Sequence, residues 1–508
     1  MAEILMFKHI AEARDMISLA KLVQIGLSLC IASFIGSAVY NVLFHPLRKF
    51  PGPLSHGMFF FPRFIYQVRG RLPFHIHDLH QRYGPVVRIA PGQLSFTNPQ
   101  AWRDIYGHKH AGEPEMTKDD ATYRMFPHVP ASVIDADRDQ HSALRRRLAH
   151  GFSDRSMHEQ EPIIGSYVSL LISRLQSAVK ETSRQNIRDW YNWTTFDVIG
   201  DLSFGVEGGF GCLAKSENHP WVELIARTIK EDGIIRALYQ LGLARPMTWL
   251  SKTGILAADQ NRDIIYEKVG QRMESGDRPD FLQGLISRKD ELGLNHNSLA
   301  SNATLLVRAG SETTATLMSG VTYFLTTQPE VLKRVKDEVR SSFKRSDDIT
   351  LSSVSGLSYM LACLNEGLRM YPPVMFGLPR VTPKGGAMVD GNYVPEETII
   401  TMWQWPINHS KDLWTEPDRF APERWMGDPH FKNDRSDAMQ PFGVGPRNCL
   451  GRNLAYAEMR LILAKLLFNF DISIDDDSRD WLAKQEAYEI WHKPALHVHL
   501  KPVTRGFE

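Results

Sequence analysis

The chain's most specific chemistry lies in one short stretch near its C-terminus, Phe442-Gly-Val-Gly-Pro-Arg-Asn-Cys-Leu-Gly451. Cys449 follows Gly445 and Arg447 and precedes Gly451. A thiolate is a strong, electron-rich metal ligand, and a buried anion needs compensation. Gly445 and Gly451 are expected to let the backbone turn tightly, so that its N–H groups aim at the sulfur. A helical pattern follows, with Leu454, Ala457, Leu461 and Ile462 on one face. Its N-terminal dipole would then lie against the thiolate. Arg447 suits a carboxylate on a cofactor, and Phe442 would shield the sulfur from water. The plainer alternative is a buried cysteine in a glycine-rich loop.

A second constellation, Ala309-Gly-Ser-Glu-Thr-Thr314, sits inside a long apolar-periodic segment. Asn297 or Ser298 is expected to cap this helix, which runs to about Thr327. A glycine inside a helix costs about 1 kcal/mol relative to alanine, and a threonine hydroxyl competes for backbone hydrogen bonds. Together they can open a groove large enough for a diatomic ligand over a metal. Glu312 and Thr313 would supply an acid and an alcohol for proton delivery. Small residues at a helix crossing are the alternative reading.

Other charged spacings frame these two. Glu366 and Arg369 share a helix face at i and i+3, and Pro422-Glu-Arg424-Trp425 follows downstream. His141 and Arg145 stand one turn apart, ahead of Arg146 and Arg147. His75, His77 and His80 lack a clear further ligand, so a surface helix is expected there rather than a metal site.

The cysteine loop fills every fixed position of FxxGxRxCxG, and on that match the chain resembles the cytochrome P-450 superfamily. AGSETT resembles the family's AGx(D/E)T(T/S) element, Glu366–Arg369 its ExxR motif, and Pro422–Trp425 its PERF-type motif with Trp for Phe. His141–Arg145 resembles WxxxR with His for Trp. The resemblance implies haem b ligated by Cys449, with Arg447, Phe442, Gly451, His141, Arg145 and Arg380 around the cofactor. It implies that Glu366, Arg369 and Arg424 lock the cysteine loop, and that Glu312 and Thr313 deliver protons. It also implies a pocket lined by Ala309, Val374, Met375, Phe376, Gly377 and Leu378, under a lid at 106–133, with Tyr488 and Ile490 beside it. A haem thiolate favours O–O cleavage.

The same resemblance implies a monooxygenase acting on a hydrophobic small molecule with O2. Its electrons would come from NADPH through a separate NADPH-cytochrome P-450 reductase, because no flavin or nicotinamide motif follows Gly451. Arg145–Arg147 and Arg452 would meet that partner. His-Pro-Leu-Arg-Lys-Phe-Pro-Gly-Pro53 and Thr195–Gly205 look like membrane-bound fungal members of secondary metabolism, in the group that includes isotrichodermin hydroxylase. Two alternatives stay open: a haem-thiolate isomerase or peroxygenase needing no reductase, and a non-enzymatic haem sensor.

The elements that must position these residues are legible more coarsely. The 508 residues are 43% hydrophobic with a formal charge of +1, which excludes disorder and any global pull toward nucleic acid. Cys30, Cys212, Cys363 and Cys449 are scattered, which speaks against a disulfide framework and for a reducing compartment. Residues 1–21 read as an N-terminal segment, and 22–44 as an uncharged transmembrane anchor of bilayer-spanning length. Residues 45–53 read as a stiff, extended proline-rich hinge, and 54–508 as one catalytic domain. Arg48 and Lys49 favour a cytoplasmic position for that domain, at the endoplasmic reticulum. A hairpin is expected around Pro91-Gly92, short strands over Val389–Thr401 and a last strand over Leu496–Leu500. The fold class is mainly α with small β-sheets.

Overall fold

The computed structural model describes residues 2–110, 112–124, 129–205, 210–251, 262–278 and 280–504. It begins with a single helix, α1 (Ala2–Leu43), which carries both the N-terminal segment and the anchor stretch. Lys21–Leu43 is long and apolar enough to cross a membrane, and it is scarcely covered by the rest of the chain. The hinge is extended at His45, Phe50 and Pro53. Pro46–Lys49 forms a 3-10 turn capped by His45, whose Nδ1 accepts from Leu47 N. Leu47 and Phe50 are buried beside Val86, Leu94 and Phe96, so the chain is stitched to the domain as it leaves α1.

Ten helices carry the site. After α1 come α2 (Leu72–Tyr83), α3 (Arg138–Leu148), α4 (Asp154–Glu181) and α5 (Ile187–Phe204). Then follow α6 (Pro220–Leu238), α7 (His296–Thr327), α8 (Pro329–Ser342), α9 (Ser358–Met370) and α10 (Arg452–Asn469). Helix α7 is capped two or three residues earlier than expected. Asn295 accepts from Ser298 N at 3.0 Å, an Asn side chain in extended backbone doing the capping. Most of α7 beyond Ser311 is buried, because it crosses the core against α5 and α10.

The strands form small sheets at the edge of this helical mass. Strands β1 (Val86–Ala90) and β2 (Gln93–Phe96) make the expected hairpin. With β3 (Thr117–Lys118), β4 (Arg380–Val381) and β5 (Ile399–Met402) they form one sheet of order β1-β2-β5-β4-β3. Lys118 and Arg380 are register partners across β3 and β4. The C-terminal strand runs over His497–Pro502, slightly later than expected. One core cluster unites α4, α5, α7, α9 and α10; Cys212 and Cys363 are buried within it as free thiols.

Candidate functional site

The loop before α10 closes on itself by Cys449 N donating to Phe442 O at 2.7 Å. Gly443 and Gly445 adopt φ of 69° and 75°, which non-glycine residues rarely tolerate. Gly451 differs from expectation: its φ is −84°, ordinary for any residue, and it serves as the N-cap of α10. Cys449 is solvent-accessible, although it is surrounded by protein. Burial pushes its thiol up, opposed by the Gly451 N–H and by the positive charges of Arg145 and Arg452. The Phe442 ring packs 5.5 Å from Tyr456 on α10, with the Arg452 guanidinium 5.9 Å away.

A set of cations converges beside this loop. Arg145 Nη1 donates to Asn448 O at 2.6 Å, tying α3 to the loop. Arg447 Nε donates to Glu115 at 3.1 Å. Lys118 Nζ donates to Ala136 O at 2.7 Å, a carbonyl it shares with Arg447. Burial, then Arg447 and Arg380, bring the Lys118 ammonium down to about 7. Burial, followed by Arg447, Lys118 and Arg145, takes His141 down to about 4, so its imidazole is neutral at physiological pH. Arg380 is buried and donates to Tyr123 Oη at 2.9 Å. So many cations around few carboxylates suit a dianionic group such as the two propionates of haem, and an accessible thiol supplies the remaining donor. The residues present therefore fit that cofactor. Lys118, Glu115 and Tyr123 were not singled out by sequence, since they lie in a lid stretch without a motif. Ala111 and residues 125–128 of that stretch lie outside the described residues.

On α7, Ala309 is exposed and Thr313 half-buried, whereas Glu312 is buried. Thr313 Oγ1 donates to Ala309 O at 2.6 Å, the side-chain competition expected of it. Gly310 does not simply widen a groove. A Cβ there would stand 2.6 Å from Ile199 Cδ1, so its missing side chain is what lets α5 approach α7. Glu312 is ion-paired with Lys493, a residue sequence reasoning missed; the signal was a lone cation in the apolar run Trp491–Leu496.

The charged lock is complete and dry. Glu366 accepts from Arg369 Nε and Nη2 at 2.9 and 2.8 Å, Arg424 Nε at 3.3 Å and Ala421 N at 3.0 Å. Trp425, which stands where the motif has Phe, adds its indole N–H at 2.9 Å. Although burial pushes the Glu366 carboxyl up, Arg369 and Arg424 hold it below the usual carboxylate range. Next to the lock, Asn365 accepts from Tyr456 Oη at 2.9 Å and so links α9 to the helix that follows the cysteine.

The stretch 374–378 alternates. Val374, Phe376 and Leu378 are half-buried, while Met375 and Gly377 are fully buried, Met375 within the main core. Met375 is buried in the main core, whereas Phe376 packs edge-on to Trp403 at 5.7 Å and Gly377 lies against the same Trp403 and Thr401. Val374 bridges Ile490. Above Phe376 lies Arg236 of α6, its guanidinium 5.1 Å from the ring centroid. Arg236 donates to Thr122 O at 2.7 Å and ion-pairs with Glu489. It therefore ties α6, the lid and the C-terminal turn together. The expected surface helix α2 is only partly so: His80 is buried, bonded to Ser95 Oγ at 2.7 Å and Gly84 O at 2.8 Å. Among the described residues, no group of three or more His, Cys, Asp or Glu could hold a metal ion.

Residues 51–498 match a family model described as Cytochrome P450. The chain is 46% identical to Cytochrome P450 monooxygenase tpeC of Talaromyces stipitatus over 482 residues, 94% of each chain. It is 43% identical to Trichothecene C-15 hydroxylase of Fusarium sporotrichioides, covering 93% of this chain and 96% of that one. Averantin hydroxylase of Dothistroma septosporum is 41% identical, over 92% and 88%.

Proposed function

The chain belongs to the cytochrome P450 family and is a haem-thiolate monooxygenase, and from that premise we propose that it oxidises a hydrophobic fungal secondary metabolite with electrons from NADPH-cytochrome P450 reductase. The observation that carries this reading is an accessible Cys449 thiol together with an intact Glu312–Thr313 pair on α7. The names of the trichothecene and averantin hydroxylases support the metabolite class.

Haem b would supply O2 activation and the transfer of one oxygen atom to substrate. Cys449 would hold the iron as a thiolate, compensated by the Gly451 N–H, Arg145 and Arg452. Arg447, His141, Arg145 and Arg380, joined by Lys118, would hold the propionates. Glu312 supplies a proton and the Thr313 hydroxyl passes it on, after exchanging its bond to Ala309 O. Ala309, Val374, Phe376 and Leu378 exclude water and orient the substrate, with Tyr488 and Ile490 completing the wall. Glu366, Arg369 and Arg424 keep the loop in place and touch no reacting atom.

Lys21–Leu43 anchors the chain in the endoplasmic reticulum membrane, with the catalytic domain on the cytoplasmic side. A groove of about 620 Å³, lined by Arg452, Arg460, Asn453 and Tyr456 of α10, offers the positive face for the reductase. The test is co-expression with a reductase while feeding candidate intermediates and identifying the oxygenated product. A product that requires both NADPH and reductase is expected. Turnover that persists without either would replace this reading with a peroxygenase or isomerase.

A further inference from the structure

Arg63, on the short helix Phe61–Val68, is a buried cation, 2% exposed. Its Nη1 donates to Gln67 Oε1 at 2.7 Å and to Gln240 Oε1 at 2.8 Å, two neutral carboxamides. Its guanidinium lies 5.1 Å from the Phe60 ring centroid. Among the described residues no carboxylate is ion-paired with it, and its Nε has no acceptor. Asp119, whose charge supports it, accepts instead from Thr122 Oγ1. Burial brings Arg63 down to about 10, so it stays charged at physiological pH.

Arg236 stands on the same network. Gln240 Nε2 donates to Thr122 Oγ1 at 3.0 Å, and Arg236 Nη1 donates to Thr122 O at 2.7 Å. Arg236 is 9% exposed, and its Nε also lacks an acceptor among the described residues. Glu489 is ion-paired with Arg236, so one paired carboxylate stands against two buried cations. The other carboxylates near Arg236 are engaged: Asp232 pairs with Arg308 at 2.7 Å, and Asp135 accepts from Ser132 Oγ at 2.6 Å.

The two arginines border the substrate space. Arg236 covers Phe376 at 5.1 Å, and one turn earlier on α6 Asp232 holds Arg308, the neighbour of Ala309 on α7. A buried charge is costly unless it is paired, and a guanidinium presents a planar set of donors matched to a carboxylate. We propose that Arg63 and Arg236 form a carboxylate-binding site at the roof of the substrate space, and that the substrate is an amphipathic organic acid, anionic at one end and apolar at the end that is oxidised. The proposal deepens the function given above and rests on its small-molecule substrate. A carboxylate seated there accepts from the two free Nε–H groups and neutralises Arg63. It also fastens the lid, because Thr122 lies between the two arginines.

The test is spectral titration of the full-length, haem-loaded chain in phosphatidylcholine vesicles, with dodecanoate, methyl dodecanoate and dodecan-1-ol as probes. Wild type binds dodecanoate about tenfold more tightly than either neutral probe, the scale of one charge-assisted hydrogen bond. In Arg63→Met the preference is lost: the acid weakens to the level of the ester, whose Kd is unchanged. Arg63→Lys keeps part of the preference, having the charge but not the planar fork. Equal affinities in wild type, or a preference that persists in Arg63→Met, would overturn the proposal. Methionine removes a buried charge and leaves an unbranched apolar chain, so haem is expected to stay bound. If it is lost, Arg63→Gln carries the same test with the same two outcomes. Adding phosphatidylserine to the vesicles separates substrate from lipid. If it weakens dodecanoate binding in wild type but not in Arg63→Met, the site takes a lipid headgroup and the substrate assignment falls; an equal effect in both proteins supports it. Feeding candidate intermediates in the presence of reductase keeps the two readings apart. Carboxylated intermediates that bind through Arg63 yet give no NADPH-dependent product leave the site standing and remove the proposed oxidation. Neutral intermediates that alone are oxidised, and bind without help from Arg63, do the reverse.

Discussion

Gly310 of α7 and Ile199 of α5 are packed so closely that a Cβ on the glycine would stand 2.6 Å from the isoleucine Cδ1. Thr195 Oγ1 adds a hydrogen bond to Ser311 O at 3.0 Å in the same crossing. Helices α5 and α7 therefore meet backbone to side chain at the level of the acid–alcohol pair. Gly310→Ala should destabilise the fold by about 1–3 kcal/mol, the usual cost of overpacking, although alanine is the better helix former. Thermal unfolding measures this, and Ile199→Ala in the same chain should recover most of it. A stabilised single variant would show that the glycine is not a packing requirement.

Glu366 collects donors from Arg369, Arg424, Trp425 and the Ala421 backbone with no exposure to water. Glu366→Ala leaves the buried Arg369 guanidinium without a carboxylate and Arg424 with Asp434 alone, at a cost of about 3–5 kcal/mol. Purified protein should have little bound haem and a lowered unfolding temperature. Trp425→Phe removes one donor and keeps the shape, so it should cost about 1 kcal/mol and retain haem. Comparable losses in both variants would contradict the hierarchy.

Acid should weaken the fold through buried histidines. Burial takes His80 down from 6.5 to about 4, partly offset by its bond to Gly84 O. His56 and His75, whose Nε2 atoms lie 2.9 Å apart, are depressed to about 4 as well. The unfolded chain binds these protons near pH 6.5 and the folded chain does not, so stability is full above 6.5 and falls as pH drops toward 4. For His80 the loss reaches about 3 kcal/mol. His80→Gln should flatten that limb of the stability profile between pH 6.5 and 4. An unchanged slope would remove His80 from the account.

Arg236 joins α6 to Thr122, Glu489 and the face of Phe376. Arg236→Met should loosen that roof without touching the cysteine loop. Substrate-induced spectral titration should give a Kd about tenfold weaker, equivalent to about 1.4 kcal/mol, while the CO-bound reduced spectrum keeps its thiolate character. Arg236→Lys keeps charge but loses the planar fork, and should fall between the two. Equal affinity in all three proteins would rule Arg236 out of substrate binding.

Cys449 offers the simplest control on the ligand. Cys449→Ser should abolish the thiolate-type spectrum of reduced, CO-bound haem, since a hydroxyl does not ionise to an equivalent ligand at neutral pH. A variant that retained it would place the ligand elsewhere.

Sequence alone determined the features that depend on local order. The spacing of Phe442, Gly445, Arg447, Cys449 and Gly451, the acid–alcohol pair, the Glu366–Arg369 spacing and the long apolar run of α1 are each contained in one stretch of chain. Their physics is a turn, a helix face or a span length. Partners distant in sequence could not be read that way. Lys493 meets Glu312 across 181 residues, and Arg236 reaches Glu489 on the far side of α7 in the chain. Nothing in either local stretch announces the other. The burial that isolates Lys493, the core that encloses Met375 and the helix crossing that explains Gly310 exist only once α5, α7 and the C-terminal strand are packed. Motifs fixed which atoms could react; only the packing of remote segments decided which charges face them, because a buried charge is stabilised by whatever the fold brings against it.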